Sequence, residues 1–419
     1  MKTNLFKKVS EVLGGAKWKN MNADDRQTDV VSFKPGTPSQ EVINKHDAIP
    51  NESARPIKRP TLLHVLLVFV ALAVLGYGCD QLIDELNIPP NVASASYQKT
   101  VLVSDTMGFN AMRIDSTLVN AWGIAINPNG IVWISSNGKG LSEVYDKNGV
   151  PKRAPVNIPS QGMLNGGVPS GAVFNKTTDF VIPATMQASK FIFAGEDGKL
   201  YAWSSGDSTH TVVDRSAWGA VYKGLEIASD GGANFIYATD FHNGKIDVFD
   251  MNFHMVTTKP FMDSKIPMGF APFNIRLIDS VLFVTYAKQL APDNHDDQKG
   301  PGNGFVNVFK TDGTLIRRFA TRGKLNSPWG IEKAPEAFGQ GKKVILIGNF
   351  GDGHINVYDE LEGEYLRTLK HNGMPVWIDG LWAITFPDNN IPGDNPNKLY
   401  FTAGPDDESH SLFGYLMKQ

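Results

Sequence analysis

Apolar and polar residues alternate in short runs along most of the chain, as in Lys245–Asp250, which reads Lys-Ile-Asp-Val-Phe-Asp. A period of two is typical of β-strands whose side chains point alternately to opposite faces of a sheet. Turn-forming residues separate the runs, and the chain contains 41 Gly and 25 Pro, which favours short strands over a helical bundle. The pattern therefore predicts an all-β protein.

The pattern of strands repeats six times. Each copy begins at a Gly or aromatic turn, continues into a strand that ends in small and polar residues, and finishes with a strand that ends in an aromatic residue. The anchor positions of the six copies are Gly123, Gly171, Gly224, Phe273, Gly330 and Gly380. An interval of about 50 residues is typical of propeller blades. We therefore predict that residues 98–419 form a six-bladed β-propeller of four-stranded antiparallel blades.

The two ends of this region predict how the ring closes. The sixth copy stops after its third strand, at about Tyr415–Met417, and one unassigned strand, Lys99–Ser104, precedes the first copy. We expect Lys99–Ser104 to pair with Ser411–Met417 as the outer strand of blade six. Such a pairing would remove an exposed sheet edge.

The region before the propeller predicts attachment to a membrane. Residues 1–60 lack sustained periodicity and are expected to form a disordered cytoplasmic tail. Leu62–Gly78 contains 17 residues without a formal charge, which is close to the shortest length that spans a bilayer. Basic residues precede it and acidic residues follow it, so we predict residues 61–78 as a membrane segment and residues 79–97 as an external linker.

Cys79 is the single cysteine of the chain and directly follows this apolar segment. Its position resembles a bacterial lipobox, in which a peptidase cuts before a cysteine that then carries lipid. The long leader before it is instead typical of an uncleaved signal anchor. Both readings, lipidation at Cys79 or a transmembrane anchor, predict that residues 80–419 lie outside the cytoplasm of a bacterial cell envelope.

The charge distribution excludes one class of partner. The net charge is −3, with +4 in residues 1–60 and −7 in residues 79–419. The predicted propeller therefore lacks the basic surface that binds nucleic acid.

Polar residues recur where the second strands end and where the blades begin. Connections on one face of a propeller usually carry function, because a rigid scaffold holds them. Oxygen ligands in such a ring are those that Ca²⁺ prefers, although Asn and Asp before Gly are also simple turn formers. The candidate ligands for a metal or another partner are Glu196, Asp240, Asn349, Asn120, Asn274 and Asn326.

The longest predicted connection on this face contains His295, Asp296 and Asp297, which are further candidates for binding a metal or substrate. The alternative is a solvated acidic loop. His242, His295 and His354 all follow second strands and are the candidates for a general base. We find no nucleophile elbow, phosphate-binding loop, dinucleotide fingerprint or zinc spacing.

Several longer stretches resemble known families. The segments Tyr237–Asp250 and Ile347–Asp359 resemble NHL-type blades. The region from Val101 to Leu416 resembles a bacterial family of PEP-CTERM-associated conserved hypothetical proteins, on the stretches Leu118–Gly123, Gly219–Gly224, His295–Val306, Asn326–Gly330 and Gly348–Gly353. The resemblance implies a propeller and an exported location but no activity. The C-terminal sorting tail of the family is not found, and we expect N-terminal anchoring instead.

Two functions follow from these observations. The first is a binding or scaffold module whose axial polar face holds a protein, a glycan or a small molecule. The second is a hydrolase or lyase that depends on a divalent metal such as Ca²⁺, with its site on the propeller axis. The second requires Glu196, Asp240, Asn349 and His295 to converge on one ion.

Overall fold

The fold was analysed in a computed structural model, which describes residues 95–160, 162–388, 391 and 393–419. The predicted tail, the apolar segment 61–78 and Cys79 lie outside the described residues. Among the residues that are described, no helix combines the length and the apolar character needed to cross a membrane.

The strands of the first half of the chain form two blades and part of a third sheet. Strands β1 (Tyr97–Ser104) and β2 (Arg113–Ile114) come first. Blade one contains β3 (Ala121–Ile126), β4 (Val132–Ser136), β5 (Leu141–Tyr145) and β6 (Val156–Asn157). Blade two contains β7 (Pro169–Phe174), β10 (Phe191–Gly195), β11 (Lys199–Trp203) and β12 (His210–Asp214), with a small hairpin of β8 (Val181–Ile182) and β9 (Gln187–Ala188). Two short 3-10 helices are Asn137–Lys139 and Ser216–Trp218.

The remaining strands complete six sheets. Blade three contains β13 (Tyr222–Asp230), β14 (Ala233–Asp240), β15 (Lys245–Phe249) and β16 (Met255–Val256). Blade four contains β17 (Phe270–Ile278), β18 (Val281–Lys288), β19 (Gly304–Phe309) and β20 (Leu315–Thr321). Blade five contains β21 (Pro328–Lys333), β22 (Val344–Asn349), β23 (Ile355–Asp359) and β24 (Tyr365–Thr368). A hairpin of β25 (Lys370–His371) and β26 (Met374–Pro375) precedes blade six, which contains β27 (Leu381–Thr385), β28 (Leu399–Ala403) and β29 (Leu412–Lys418).

The six sheets form a β-propeller, as the sequence repeat predicts. The first strands of the blades, β3, β7, β13, β17, β21 and β27, contact one another in that order, and β27 contacts β3. These inner strands approach so closely that a side chain would not fit at some anchor positions. A Cβ atom on Gly123 would lie 2.5 Å from the Ser170 carbonyl oxygen, which explains the recurring glycine.

The sheet of blade six contains strands from both ends of the described chain. Strand β1 pairs with β29 in antiparallel register, with Tyr97 opposite Lys418 and Ser104 opposite Leu412. The short strand β2 adds to β1 in parallel and makes this sheet five-stranded. The outer part of blade six is therefore built from residues that precede blade one in the sequence.

Aromatic side chains fill the centre of the ring on the face where the inner strands begin. Trp122 and Trp382 occupy the second positions of β3 and β27, and their ring centroids are 3.9 Å apart. Phe350, which follows β22, stacks on Trp382 at 3.8 Å. Large aromatic surfaces in such contact contribute strongly to the core. The polar side chains of Asn120 and Lys223 lie against Trp382 and Trp122 of this aromatic cluster.

Candidate functional site

The inner strands all begin on one face of the propeller, which we call the axial face. Asn120, just before β3, donates hydrogen bonds to Asn137 Oδ1 at 3.3 Å and to Glu408 Oε2 at 2.7 Å. Its own Oδ1 accepts a hydrogen bond from the Trp382 indole at 3.0 Å. Asn137 and Glu408 follow the second strands of blades one and six, so the turns that begin the blades and these connections meet on one face.

The centre of this face is an ion pair between Lys223 and Glu196. Lys223, in β13, has a side chain that is only 2% exposed, and its Nζ contacts Glu196 Oε1. The same Nζ lies 3.4 Å from Asp296 Oδ1 and 5.1 Å from the Trp122 ring centroid. Glu196 Oε2 accepts a hydrogen bond from Asn137 at 2.7 Å. A buried charge is costly unless it is paired, and this one is paired.

Lys223 is held in its charged form. Burial lowers the pKa of its ammonium, but the charges of Glu196, Asp296 and Asp297 outweigh the burial and raise this pKa above the ordinary value. A lysine that stays protonated cannot act as a neutral amine nucleophile or as a general base. Its role in this arrangement is to balance negative charge.

The acidic groups still outnumber the basic ones. Burial raises the pKa of Glu408, and the neighbouring Glu196 adds to this effect. Burial also raises the pKa of Asp297, whose Oδ2 has no hydrogen-bond partner among the described residues. We call the following eight residues the axial site: Asn120, Asn137, Glu196, Lys223, His295, Asp296, Asp297 and Glu408.

His295 and Asp296 form a second pair at the edge of the axial site. His295 Nδ1 lies 3.0 Å from Asp296 Oδ1. This hydrogen bond raises the pKa of His295 and is the main cause that lowers the pKa of Asp296 to about 2. The pair therefore carries opposite charges at a pH where an isolated histidine would be neutral.

We expect an NMR pH titration to place the pKa of His295 above the ordinary histidine value, and Asp296→Asn to lower it. The matched control is Asp312→Asn, since Asp312 lies in an exposed turn between β19 and β20. A titration of His295 that is the same in both variants would show that the pair does not form in solution.

Three carboxylate and imidazole groups come close enough together to consider a metal. Ligand atoms of Glu196, His295 and Asp296 lie within 4.8 Å of one another, the single group of this kind within the described part of the chain. The Lys223 ammonium already contacts Glu196 and lies near Asp296, so a divalent ion would meet a fixed positive charge. Ca²⁺ also prefers six to eight oxygen ligands. The residues therefore do not fit a calcium centre.

Other predicted ligands make their hydrogen bonds elsewhere. Asp240 accepts from the Val221 amide at 3.1 Å and from Asn243 at 2.8 Å, which holds a turn of blade three. Asn349 donates to the Lys324 carbonyl at 2.7 Å and to Asp352 at 3.1 Å. The group formed by Glu196, His295 and Asp296 does not include Asp240, and the hydrogen bonds of Asn349 stay within its own part of the ring.

The remaining candidates hold connections in place. Asn326 accepts from the Gly300 amide at 2.7 Å, and Asn274 donates to the Trp329 carbonyl at 2.8 Å between blades four and five. His242 Nδ1 lies 2.9 Å from the Asp293 carbonyl, and His354 Nδ1 lies 3.3 Å from Asp352. Among the described residues, these contacts hold His242 and His354 against their loops.

Lys223, Asn137 and Glu408 lie in the entry turns and connections where the sequence predicts recurring polar residues, but they are not among its candidate ligands. Lys223 carries the stronger signal, because a lysine among the apolar residues of an inner strand must find a buried partner. Asn137 and Glu408 carry a weak one, since acidic and amide residues are common in turns.

Comparison with known proteins gives relatives but no activity. No protein-family model matches the chain. It is 31% identical over 341 residues to the uncharacterized protein L690 of Acanthamoeba polyphaga mimivirus, which covers 78% of this chain and 88% of that protein. The uncharacterized protein R648 of the same virus is 30% identical over 341 residues, with 78% and 82% covered. The chain belongs to the same family as these uncharacterized mimivirus proteins.

Comparison with solved structures gives a match at a TM-score of 0.50, which agrees with the fold, and weaker matches. A protein of unknown function from Bacteroides thetaiotaomicron matches with a TM-score of 0.50 at 12% identity, covering 77% of this chain and 76% of that one. A streptogramin B lyase matches with a TM-score of 0.47 at 11% identity, covering 79% and 100%. Identities this low concern the fold alone, and no activity is transferred from either protein.

Proposed function

We propose that the protein is a binding module whose acidic axial face recognises basic side chains of a partner protein. The observation that carries this proposal is a set of exposed apolar residues around the acidic axial site. The propeller fold hosts many activities, so the fold alone does not identify the partner.

The apolar residues lie in the connections that lead from the outer strand of one sheet to the inner strand of the next. They are between 58% and 100% exposed, which is unusual for such large apolar side chains. Six of these residues form what we call the apolar rim: Met107, Met163, Leu164, Trp218, Met268 and Trp377. Met and Trp are enriched at protein interfaces, and the rim residues come from five connections on one face of the ring.

The charge of the axial site selects the partner. The axial site has four carboxylates, Glu196, Asp296, Asp297 and Glu408, against the two basic groups Lys223 and His295. Asp406 and Asp407 add exposed acids at its edge, where Lys299 lies 3.9 Å from Asp407. Complementary charge steers a partner to its interface and excludes like-charged ones. A surface that presents Lys or Arg among apolar residues would match both the axial site and the apolar rim.

The test uses the full chain and labelled peptides of alternating sequence. We expect a Lys-Leu peptide to bind more tightly than a Lys-Ser peptide, and a Glu-Leu peptide not to bind, by fluorescence anisotropy. The double variant Asp296→Asn, Glu408→Gln should weaken Lys-Leu binding by about tenfold or more, and added salt should weaken it in the wild type.

Matched controls separate the axial face from the rest of the surface. Asp312→Asn with Glu362→Gln removes two exposed acids elsewhere and should leave binding unchanged. Trp218→Ser should remove part of the preference for Leu over Ser, whereas Leu361→Ser, which is also exposed but lies in the turn after β23, should not. Equal affinities for all variants would contradict the proposal.

The location of the module remains a prediction of the sequence. Leu62–Gly78 and Cys79 support membrane attachment, by an anchor or by lipid, with residues 80–419 outside the cytoplasm. The resemblance to PEP-CTERM-associated proteins supports export. A bacterial cell envelope is likewise a prediction, since the relatives reported above are mimivirus proteins.

A further inference from the structure

The propeller has a cavity on the side opposite the axial face. Its volume is about 700 Å³, within the range of small-molecule sites. Its lining includes Ile126, Ser229 and Lys333, which lie at or near the ends of the inner strands β3, β13 and β21. Asn120 and Lys223 mark the beginnings of such strands, so the two sites lie at opposite ends of the ring.

The walls of this strand-end cavity have two different halves. Blades one and two contribute the apolar side chains Ile124, Ile126 and Phe174, and the exposed Lys176 follows them. Blades three to six contribute the buried or half-buried groups Glu226, Arg276, Glu332 and Thr385, together with some apolar residues. A molecule in the cavity can therefore place an apolar body against blades one and two and a polar group against the network of blades three to six.

The polar half is a connected network. Arg276 Nη2 donates to Glu332 Oε2 at 2.7 Å and to Thr385 Oγ1 at 3.2 Å. Arg276 Nη1 lies 3.7 Å from Glu226 Oε2, beyond hydrogen-bond distance. The Glu226 oxygens accept from the amides of Ile227 at 3.0 Å and Leu277 at 2.9 Å. One guanidinium thus faces two carboxylates.

Among the described residues, Arg276 is the one basic group within 4.0 Å of Glu226 or Glu332, although the exposed Lys176 also lines the cavity. Lys333, at the cavity mouth, lies 2.8 Å from both Asp279 and Glu360 and is neutralised by them. The side chains of Glu226 and Glu332 are only 11% and 13% exposed, so water screens them poorly. Burial raises the pKa of Glu226 even though Arg276 opposes this, and Glu332 adds to the rise.

We propose that the strand-end cavity binds a small organic amine, with its ammonium group at Glu226 and its apolar body against Ile124, Ile126 and Phe174. The ammonium balances the second carboxylate, and its N–H groups donate to the lone pairs that Glu226 has left. A carboxylate ligand would instead approach Glu226 and Glu332, which already share the single guanidinium of Arg276. This site is independent of the proposed function, which concerns the opposite face.

The test compares three ligands of equal length with the full chain: phenylpropylamine, phenylpropanol and phenylpropionate. We expect calorimetry near neutral pH to show the amine binding about tenfold or more tighter than the alcohol, and no binding of the carboxylate. An alcohol or a carboxylate that binds as tightly as the amine would overturn the proposal, and so would a failure of all three to bind.

Two variants locate the binding. Glu226→Gln should remove the preference for the amine over the alcohol. Ser229→Trp places a large side chain at the mouth of the cavity, where Ser229 is exposed, and should abolish amine binding without disturbing the buried network. Asp312→Asn removes an exposed acid outside the cavity and should have no effect.

The variants also distinguish binding in the strand-end cavity from binding at the axial face. If Glu226→Gln fails to fold, Ser229→Trp decides alone, and amine binding that survives in this variant overturns the proposal. The Lys-Leu peptide should still bind the Ser229→Trp variant at the axial face, so a failure of one site is distinguishable from a failure of the other.

Discussion

Deleting residues 98–105 from the full chain is expected to lower the melting temperature by more than about 10 °C. The deletion removes most of β1, which lies between β29 and β2 in the blade-six sheet. Val101, Leu102 and Val103 are buried, and removing large aliphatic side chains from a core costs about 2–5 kcal/mol each. It would also leave the outer edge of β29 unpaired.

Two point variants on β1 distinguish the effect of its buried side chains from the effect of losing the whole strand. Val103→Ser places a hydroxyl at a fully buried position and should destabilise the protein strongly. Gln98→Ser, at an exposed position of the same strand, should leave the melting temperature nearly unchanged. Equal melting temperatures for the deletion and the wild type would show that β1 does not hold the ring together.

A disulfide tests the pairing directly. Gln98 lies opposite Met417, so Gln98→Cys with Met417→Cys, in a Cys79→Ser background, should form a crosslink between β1 and β29. The oxidised form should melt at a higher temperature than the reduced form, because the crosslink restrains a loop of more than 300 residues in the unfolded chain. Failure to crosslink would contradict the register.

The fold was predictable because its signals are local. The strand Lys245–Phe249 shows its alternation within five residues. The recurring glycine is visible in the sequence at Gly123, although its cause, the Ser170 carbonyl of the next blade, is not. Because the same pattern recurs in six copies, these weak local signals together predict six blades. Counting the blades required no knowledge of contacts between them.

The site was less predictable because its contacts are not local. Asn120 meets Glu408 across 288 residues, and only closure of the ring brings them together. Glu196 and Asp240 both follow second strands, yet their roles differ. Asp240 reaches the backbone amide of Val221 in its own blade, whereas Glu196 reaches Lys223 in the next blade.

The strand-end cavity was not predicted at all, although its residues carry a regular signal. Glu226 and Glu332 each come two residues after an anchor glycine, and Arg276 is opposed to both across the ring interior. Charged residues inside apolar inner strands indicate a buried network. Their attraction to one another depends on the order of the blades, which spacing alone does not reveal.

Replacing Lys223 with Met is expected to destabilise the protein by about 3–5 kcal/mol, because it leaves Glu196 buried without its ion-pair partner. Methionine is similar in length and apolar, so it keeps contact with Trp122 and removes mainly the charge. The matched control is Lys333→Met, which breaks a partly exposed pair and should cost less than about 1 kcal/mol.

A second substitution tests whether the lost stability comes from the ion pair between Lys223 and Glu196. Adding Glu196→Gln to Lys223→Met should recover much of the lost stability, since no unpaired carboxylate then remains, and denaturant unfolding should give a coupling free energy of about 2 kcal/mol or more. Burying an unpaired carboxylate costs more than burying its protonated form. The destabilisation of the single Lys223→Met variant should therefore be largest at neutral pH and shrink as the pH falls and the carboxyl gains a proton. A loss that does not change with pH and is not relieved by Glu196→Gln would mean that Lys223 supports the fold through packing against the aromatic cluster and not through its charge.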